Sequence, residues 1–121
     1  MTLITSTANP RIRKAQDLLT NRGRKKHGLF LMEGPHLLES LLDASLSPSE
    51  VYYSPALLSR TQEGRTLLQR LLSTPSLPTG SLVEVSERVI EALGETETSQ
   101  GVVSVLPLSA FAIEQTRARR Q

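Results

Sequence analysis

The chain has 121 residues, a formal net charge of +2, a 38% hydrophobic share and no cysteine. That length holds one domain with a modest core, and the composition excludes wholesale disorder, disulfide staples and thiolate metal sites. No apolar run approaches the roughly 20 residues that span a bilayer, and the N-terminus lacks a signal-peptide apolar core. The expectation is therefore a cysteine-free protein of a reducing compartment, the cytoplasm, with no membrane partner.

Asn9-Pro10 predicts a helix start, because Asn accepts from free N–H groups and Pro suits a first turn. Ile12, Ala15, Leu18 and Leu19 recur at helical spacing, with Arg13, Lys14, Asp17 and Asn21 opposite, and Gly23 is placed to end the helix. Arg24 to Gly28 reads as a basic connector too polar to bury. Leu29 to Met32 is a continuous apolar run, the pattern of a strand covered on both faces. After the break at Glu33-Gly34-Pro35, Leu37, Leu38, Leu41 and Leu42 mark a second helix. Val51-Tyr52-Tyr53 is a short strand between turn signals at Ser47-Pro48 and Ser54-Pro55. Leu67, Leu68, Leu71 and Leu72 mark a third helix, with a short turn from Pro55 to Ser59 before it, and residues 74–81 form a loop. Leu82 to Val85 is a strand, Ser86 caps a fourth helix that stops at Gly94, and Val102 to Leu106 is the last strand, ended by Pro107. Strands separated by helices argue for βαβ crossovers. The expected fold is α/β, a small and mostly parallel sheet of about four strands with helices on both faces. Residues 1–107 make the domain in this reading and 108–121 a linker.

Charge is distributed unevenly. Residues 1–30 carry Arg11, Arg13, Lys14, Arg22, Arg24, Lys25 and Lys26 against Asp17 alone, a net of +6. Residues 31–116 carry four arginines against eleven carboxylates, and Arg117, Arg119 and Arg120 close the chain. A partner would meet a basic end on a mildly acidic body. Groups along a helix of about 18 Å can follow a phosphate backbone, gaining affinity from counterion release without reading sequence. The competing account is that basic groups at a helix C-terminus complement its dipole, which covers Arg22 and Arg24 but not Arg11, Arg13 or Lys14.

Signals for chemistry are thin. The glycines at 23, 28, 34, 64, 80, 94 and 101 write neither a dinucleotide fingerprint nor a phosphate-binding loop. His27 and His36 are the only histidines and do not sit at ligand spacing from each other, so no metal site is expected. No serine lies in a nucleophile elbow. Glu84 with Glu87, and Glu95 with Glu97, read as solvated caps and loop charges rather than acid–base pairs. Catalysis by this chain alone is not expected. Scarce aromatics (Phe30, Tyr52, Tyr53 and Phe111) also argue against base-stacking platforms. Glu33-Gly34-Pro35 lies where a strand hands over to a helix N-terminus, the kind of place where ligands gather in open α/β sheets. Glu33 could orient Arg24, accept from a base or a 2′-hydroxyl, or act only as a helix-cap charge.

The residues also form an ordered series: Ser6, then Asn9-Pro10-Arg11-Ile12-Arg13, Leu18-Leu19, Arg22 through Gly28, and Phe30-Leu31-Met32-Glu33-Gly34. The series resembles the N-terminal substrate-binding domain of SpoU-type (TrmH family) RNA 2′-O-ribose methyltransferases. That family's pattern is close to S-x-x-N-P-x-I-K followed by R-x-x-x-G-x-F-x-x-E-G. Arg24-x-x-x-Gly28-x-Phe30-x-x-Glu33-Gly34 meets the second part at every named position, and Arg13 stands where Lys is commoner. Val85-Ser86 and Gln100-Gly101-Val102-Val103 resemble the family's closing segments, with Ser99 in place of the usual proline. The resemblance implies a fold like that of kink-turn-binding ribosomal proteins and a role in holding structured RNA, rRNA above all, for ribose methylation. It implies that S-adenosylmethionine is bound by a C-terminal knotted domain whose motifs this chain lacks, and that full-length members are homodimers held through that domain. Carried to matched positions and their neighbours, it assigns RNA contact to Arg11, Arg13, Lys14, Arg22, Arg24, Lys25, Lys26 and Glu33. No catalytic, cofactor-binding or metal residue is expected here. The alternative is a free-standing, ribosomal-protein-like RNA-binding module with no catalytic partner.

Overall fold

A computed structural model describes residues 3–73, 80–94 and 100–109. Ten elements follow one another: α1 (Pro10–Asp17), α2 (Asn21–His27), β1 (Leu29–Glu33), α3 (Pro35–Asp43), β2 (Glu50–Tyr53), α4 (Pro55–Leu58), α5 (Gln62–Ser73), β3 (Leu82–Glu84), α6 (Glu87–Leu93) and β4 (Val102–Pro107).

The strands form one sheet in the order β1-β4-β2-β3. The α/β class, the four strands and the helices on both faces agree with the sequence reading; the mostly parallel pairing does not. β4 pairs antiparallel with both β1 and β2, and only β2 with β3 is parallel. The crossover argument still accounts for direction, since β1, β2 and β3 all run the same way, as helix-linked strands do. The last strand enters between β1 and β2 in the opposite sense and converts what would have been a parallel neighbour pair into two antiparallel ones.

That insertion leaves Leu29 to Met32 covered on both faces only in part: Leu29 and Leu31 pack on one core and Phe30 and Met32 on the other, but none is fully buried. Among the described strands β1 lies at the sheet edge with β4 as its neighbour, and it is half-buried along its whole length. The doubly covered strand is β4, with every residue from Val102 to Leu106 buried. Its side chains alternate between two cores, as a period of two requires. Val103 and Val105, with Tyr52 of β2, pack against Ile12, Ala15 and Leu18 and against Val89, Ile90 and Leu93, so α1 and α6 cover this face. Val102 and Leu106, with Val51 and Tyr53, pack against Leu38, Leu41, Leu67 and Leu71, so α3 and α5 cover the other.

Caps behave as their side chains dictate. The Asn9 side chain accepts from the Arg11 N–H at 2.9 Å with Pro10 in the first turn, and Ser54 and Ser86 cap α4 and α6. The start of the first helix is thus as predicted, but its end is not. α1 stops at Asp17, a second helix begins at Asn21, and Arg24 to His27 are its last turn rather than a connector. Thr20 makes the difference: its hydroxyl accepts from the Gly23 N–H at 3.0 Å and starts α2. Gly23 therefore sits inside a helix, and Gly28, at φ 68°, is the left-handed residue that ends it. No described helix is long and apolar enough to cross a membrane. The loop at 74–79, the pair Glu95 and Glu97, and most of the segment read as a linker lie outside the described residues.

Candidate functional site

The two short helices of the basic segment are clamped into one hairpin. Gly23 lies so close to the end of α1 that a Cβ there would stand 1.8 Å from the Asp17 carbonyl oxygen. The Thr20 hydroxyl donates to that carbonyl at 3.1 Å, and Arg24 donates to the Leu18 carbonyl at 3.1 Å and to the Asn21 side-chain oxygen. His27 Nε2 sits 2.8 Å from Asp17 Oδ2, tying the last residue of α2 to the last of α1. Asp17 is the sole carboxylate of the first thirty residues, and it is bonded inside the hairpin.

The eight residues proposed from the sequence fall into three groups. Arg11 and Arg24 are committed within the fold: Arg11 Nη2 is 2.6 Å from Glu50 Oε2 and donates to the Gly80 carbonyl at 2.9 Å. Arg24 holds the hairpin closed and does not pair with Glu33. Arg13, Lys14, Arg22, Lys25 and Lys26 are exposed and make no ion pair among the described residues. Glu33 lies elsewhere, at the end of β1, where a Cβ at position 94 would meet its carboxylate at 2.9 Å.

Splitting the helix rearranges the dipole argument. Lys14 now lies in the last turn of α1, and Lys25 and Lys26 in the last turn of α2, where cations complement the helix. Arg22, which a single long helix placed near a C-terminus, is instead in the first turn of α2. A cation there opposes the helix field, and among the described residues no carboxylate lies within ion-pair distance of it. Arg22 and Lys26, one turn apart on one face, line an open hollow of about 350 Å³ together with Asp17, Thr20 and Gly23. Its wall offers cations, a hydroxyl and one carboxylate, and no apolar side chain.

A second grouping gathers at the other end of β1. Gly34 donates to the Val102 carbonyl at 3.0 Å, and Gln100 Oε1 would lie 3.3 Å from a Cβ at residue 34. Gly101, at φ 95°, is pressed against Leu57 and Leu58, each within 2.9 Å of a Cβ built there. The Glu33-Gly34 and Gln100-Gly101 pairs of the sequence thus meet in space. Nearby in sequence, His36 and Glu39 of α3 come together with Glu63 of α5, His36 Nδ1 lying 3.8 Å from Glu63 Oε1. Sequence spacing could not reveal this trio, since Glu63 arrives from another helix. Glu87 is paired with Arg60 at 3.2 Å, a surface ion pair rather than an acid–base partner for Glu84.

Comparison with known proteins matches residues 9–104 to the MRM3-like substrate-binding domain. The chain is 31% identical over 108 residues to an uncharacterised tRNA/rRNA methyltransferase of Synechocystis, covering 89% of this chain and 37% of that protein. Its fold resembles the solved structure of an RNA 2′-O-ribose methyltransferase, with a TM-score of 0.70 and 28% identity over 88% of this chain and 38% of the other. An rRNA methyltransferase from Sinorhizobium meliloti shares the fold at a TM-score of 0.63 and 22% identity, over 88% of this chain and 36% of that one. The chain spans a little over a third of the length of these relatives.

Proposed function

The chain belongs to the MRM3-like substrate-binding domain family of SpoU/TrmH-type RNA methyltransferases, and from that premise we propose that it holds structured rRNA for methylation of a ribose 2′-hydroxyl. The observation that carries the RNA contact is the α1–α2 hairpin. Five exposed cations, Arg13, Lys14, Arg22, Lys25 and Lys26, stand there without ion-pair partners among the described residues, and Arg22 opposes the field of its own helix. A polyanion is the ligand that supplies what such a surface lacks.

The methyl donor, S-adenosylmethionine, needs a wall for its adenine. Among the described residues the hollow beside Arg22 is lined by Asp17, Thr20, Arg22, Gly23 and Lys26, which do not fit that ring. Because the chain spans only a little over a third of its relatives' length, we assign donor binding and methyl transfer to a separate C-terminal domain of the same protein, with homodimerisation through that domain and a cytoplasmic location.

Two measurements test this reading. Filter binding of the 121-residue chain to a structured rRNA fragment should show log K falling with log salt at a slope of about −4, as five phosphate contacts give. A slope near zero would remove the hairpin as the RNA surface. Mapping ribose methylation across rRNA in cells lacking the gene should show the loss of a 2′-O-methyl mark; an unchanged map would count against rRNA as the substrate.

A further inference from the structure

The hollow between α1 and α2 combines groups that a surface tracking only phosphates does not need. Arg22 and Lys26 supply positive charge from one face of α2, but Asp17, an acceptor, lines the same space. A bare carboxylate beside two cations would weaken phosphate binding. Here it is fixed: His27 occupies one position on Oδ2 at 2.8 Å, and the Asp17 side chain remains 44% exposed. A carboxylate has about four lone-pair positions, so its capacity to accept from a ligand is largely unused. Gly23 keeps the hollow open, since a Cβ there would reach the Asp17 carbonyl and come within 3.0 Å of its side-chain carbon. The Thr20 hydroxyl gives its proton to the Asp17 carbonyl and accepts from the Gly23 N–H, so the Asp17 carboxylate is the charged acceptor facing a ligand.

Resting on the RNA-binding reading above, we propose that this hollow is a single-nucleotide slot that selects RNA over DNA. Arg22 and Lys26 hold the backbone phosphate, and the Asp17 carboxylate accepts a hydrogen bond from the ribose 2′-hydroxyl of that nucleotide. The 2′-hydroxyl is the group by which a protein tells the two polymers apart. His27 is a positioning residue, holding the carboxylate in place from the far side.

The sign of one mutational effect separates this slot from a plain basic surface. The probes are a structured rRNA hairpin and its 2′-fluoro copy, which keeps the A-form shape but has no hydroxyl proton to donate. Wild type should bind the hairpin more tightly than the fluoro copy. Asp17→Asn should weaken hairpin binding about three- to tenfold, the difference between a hydrogen bond to a charged acceptor and one to a neutral amide oxygen, and narrow the preference between the probes. On a plain basic surface, deleting a negative charge would instead raise affinity for both probes alike. That result, or no change in either, overturns the slot. His27→Gln breaks the tie between the helices but keeps the carboxylate, so it should retain the preference for the hydroxyl-bearing probe. A narrowing of the preference in His27→Gln as great as in Asp17→Asn would reduce Asp17 to a structural clip. Arg22→Ala, which leaves Asp17 and His27 untouched, should weaken both probes equally. Failure of wild type to bind either probe at low salt would overturn the RNA-binding reading itself, and the slot with it.

Discussion

The guanidinium of Arg11 lies 2.6 Å from the carboxylate of Glu50, joining the first turn of α1 to the first residue of β2. Glu50 is only 28% exposed and Arg11 also donates to the Gly80 carbonyl, so this cation is part of the fold. Exposed ion pairs contribute little, but here one partner is largely covered and a backbone carbonyl would lose its donor. Arg11→Ala should therefore cost about 1 kcal/mol in urea unfolding. Its RNA affinity should stay within about twofold of wild type, because its charge is already balanced by Glu50. A large affinity loss without a stability loss would return Arg11 to the binding surface.

Arg13 and Lys14 present the opposite case. Both are exposed on α1 beside buried Ile12 and Ala15, and neither is held by a described partner. Reversing both charges should lower the melting temperature by only a few degrees, since Lys14 leaves a favourable place at the end of α1, and should weaken RNA binding at about 0.1 M salt by at least tenfold, with a shallower salt slope. Unaltered affinity in the same titration would move the RNA to another face.

Local signals in the chain are enough to place most elements. The Asn9, Ser54 and Ser86 caps and the prolines at 10, 35 and 55 mark helix starts wherever the structure has them. The leucine stripes of α3 and α5 are only partly core, because Leu38, Leu41, Leu67 and Leu71 are buried while Leu37 and Leu72 stay 45% and 61% exposed. What is not legible depends on distant parts of the chain. Nothing in Val102 to Leu106 says that this strand will enter between β1 and β2, and that choice sets three strand neighbourhoods at once. Gly23 reads as a stop because glycine is a good one; only the Asp17 backbone, packed against it, shows why glycine must stand inside α2. The candidate site is legible as a set of charges but not as a division of labour. Arg11 and Arg24 are distinguished from Arg13 and Arg22 by Glu50 and the Leu18 carbonyl, partners that sequence spacing does not connect to them, while Asn21 is the i,i+3 partner that helical spacing offers Arg24.

The glycine inside α2 and the one that ends it differ in what they tolerate. At Gly28 the backbone is left-handed but nothing lies within 4 Å of where a Cβ would stand, so Gly28→Ala should cost about 1 kcal/mol of conformational strain. At Gly23 a methyl group would collide with backbone, which cannot swing away as a side-chain tip can. Gly23→Ala should cost about 3 kcal/mol or more by overpacking and should open the hairpin. Thermal unfolding of the two variants checks the ranking, and equal costs would mean that α2 does not pack on the end of α1.

Tyr52 gives the fold a pH dependence of predictable sign. Its ring is fully buried in the α1–α6 core, and its hydroxyl faces Arg11 and Glu50 without a hydrogen bond of ordinary geometry among the described residues. Burial pushes its pKa up to about 12, the negative charge of Glu50 adds to the rise, and Arg11 opposes it. In the unfolded chain the phenol titrates near its ordinary value of about 10. The native state therefore keeps a proton that the unfolded state gives up. Stability attached to Tyr52 is complete below about pH 10 and is lost as pH rises toward 12, by about 2 kcal/mol across that window. Tyr52→Phe removes both the titration and an unsatisfied buried hydroxyl. The variant should be as stable as wild type or up to about 1 kcal/mol more stable at neutral pH, and it should hold that stability between pH 10 and 12 where wild type declines. Urea unfolding at pH 7, 10 and 11.5 distinguishes the two proteins. Parallel decline of both curves would assign the alkaline loss to other groups, and a marked destabilisation at neutral pH would reveal a partner for the hydroxyl.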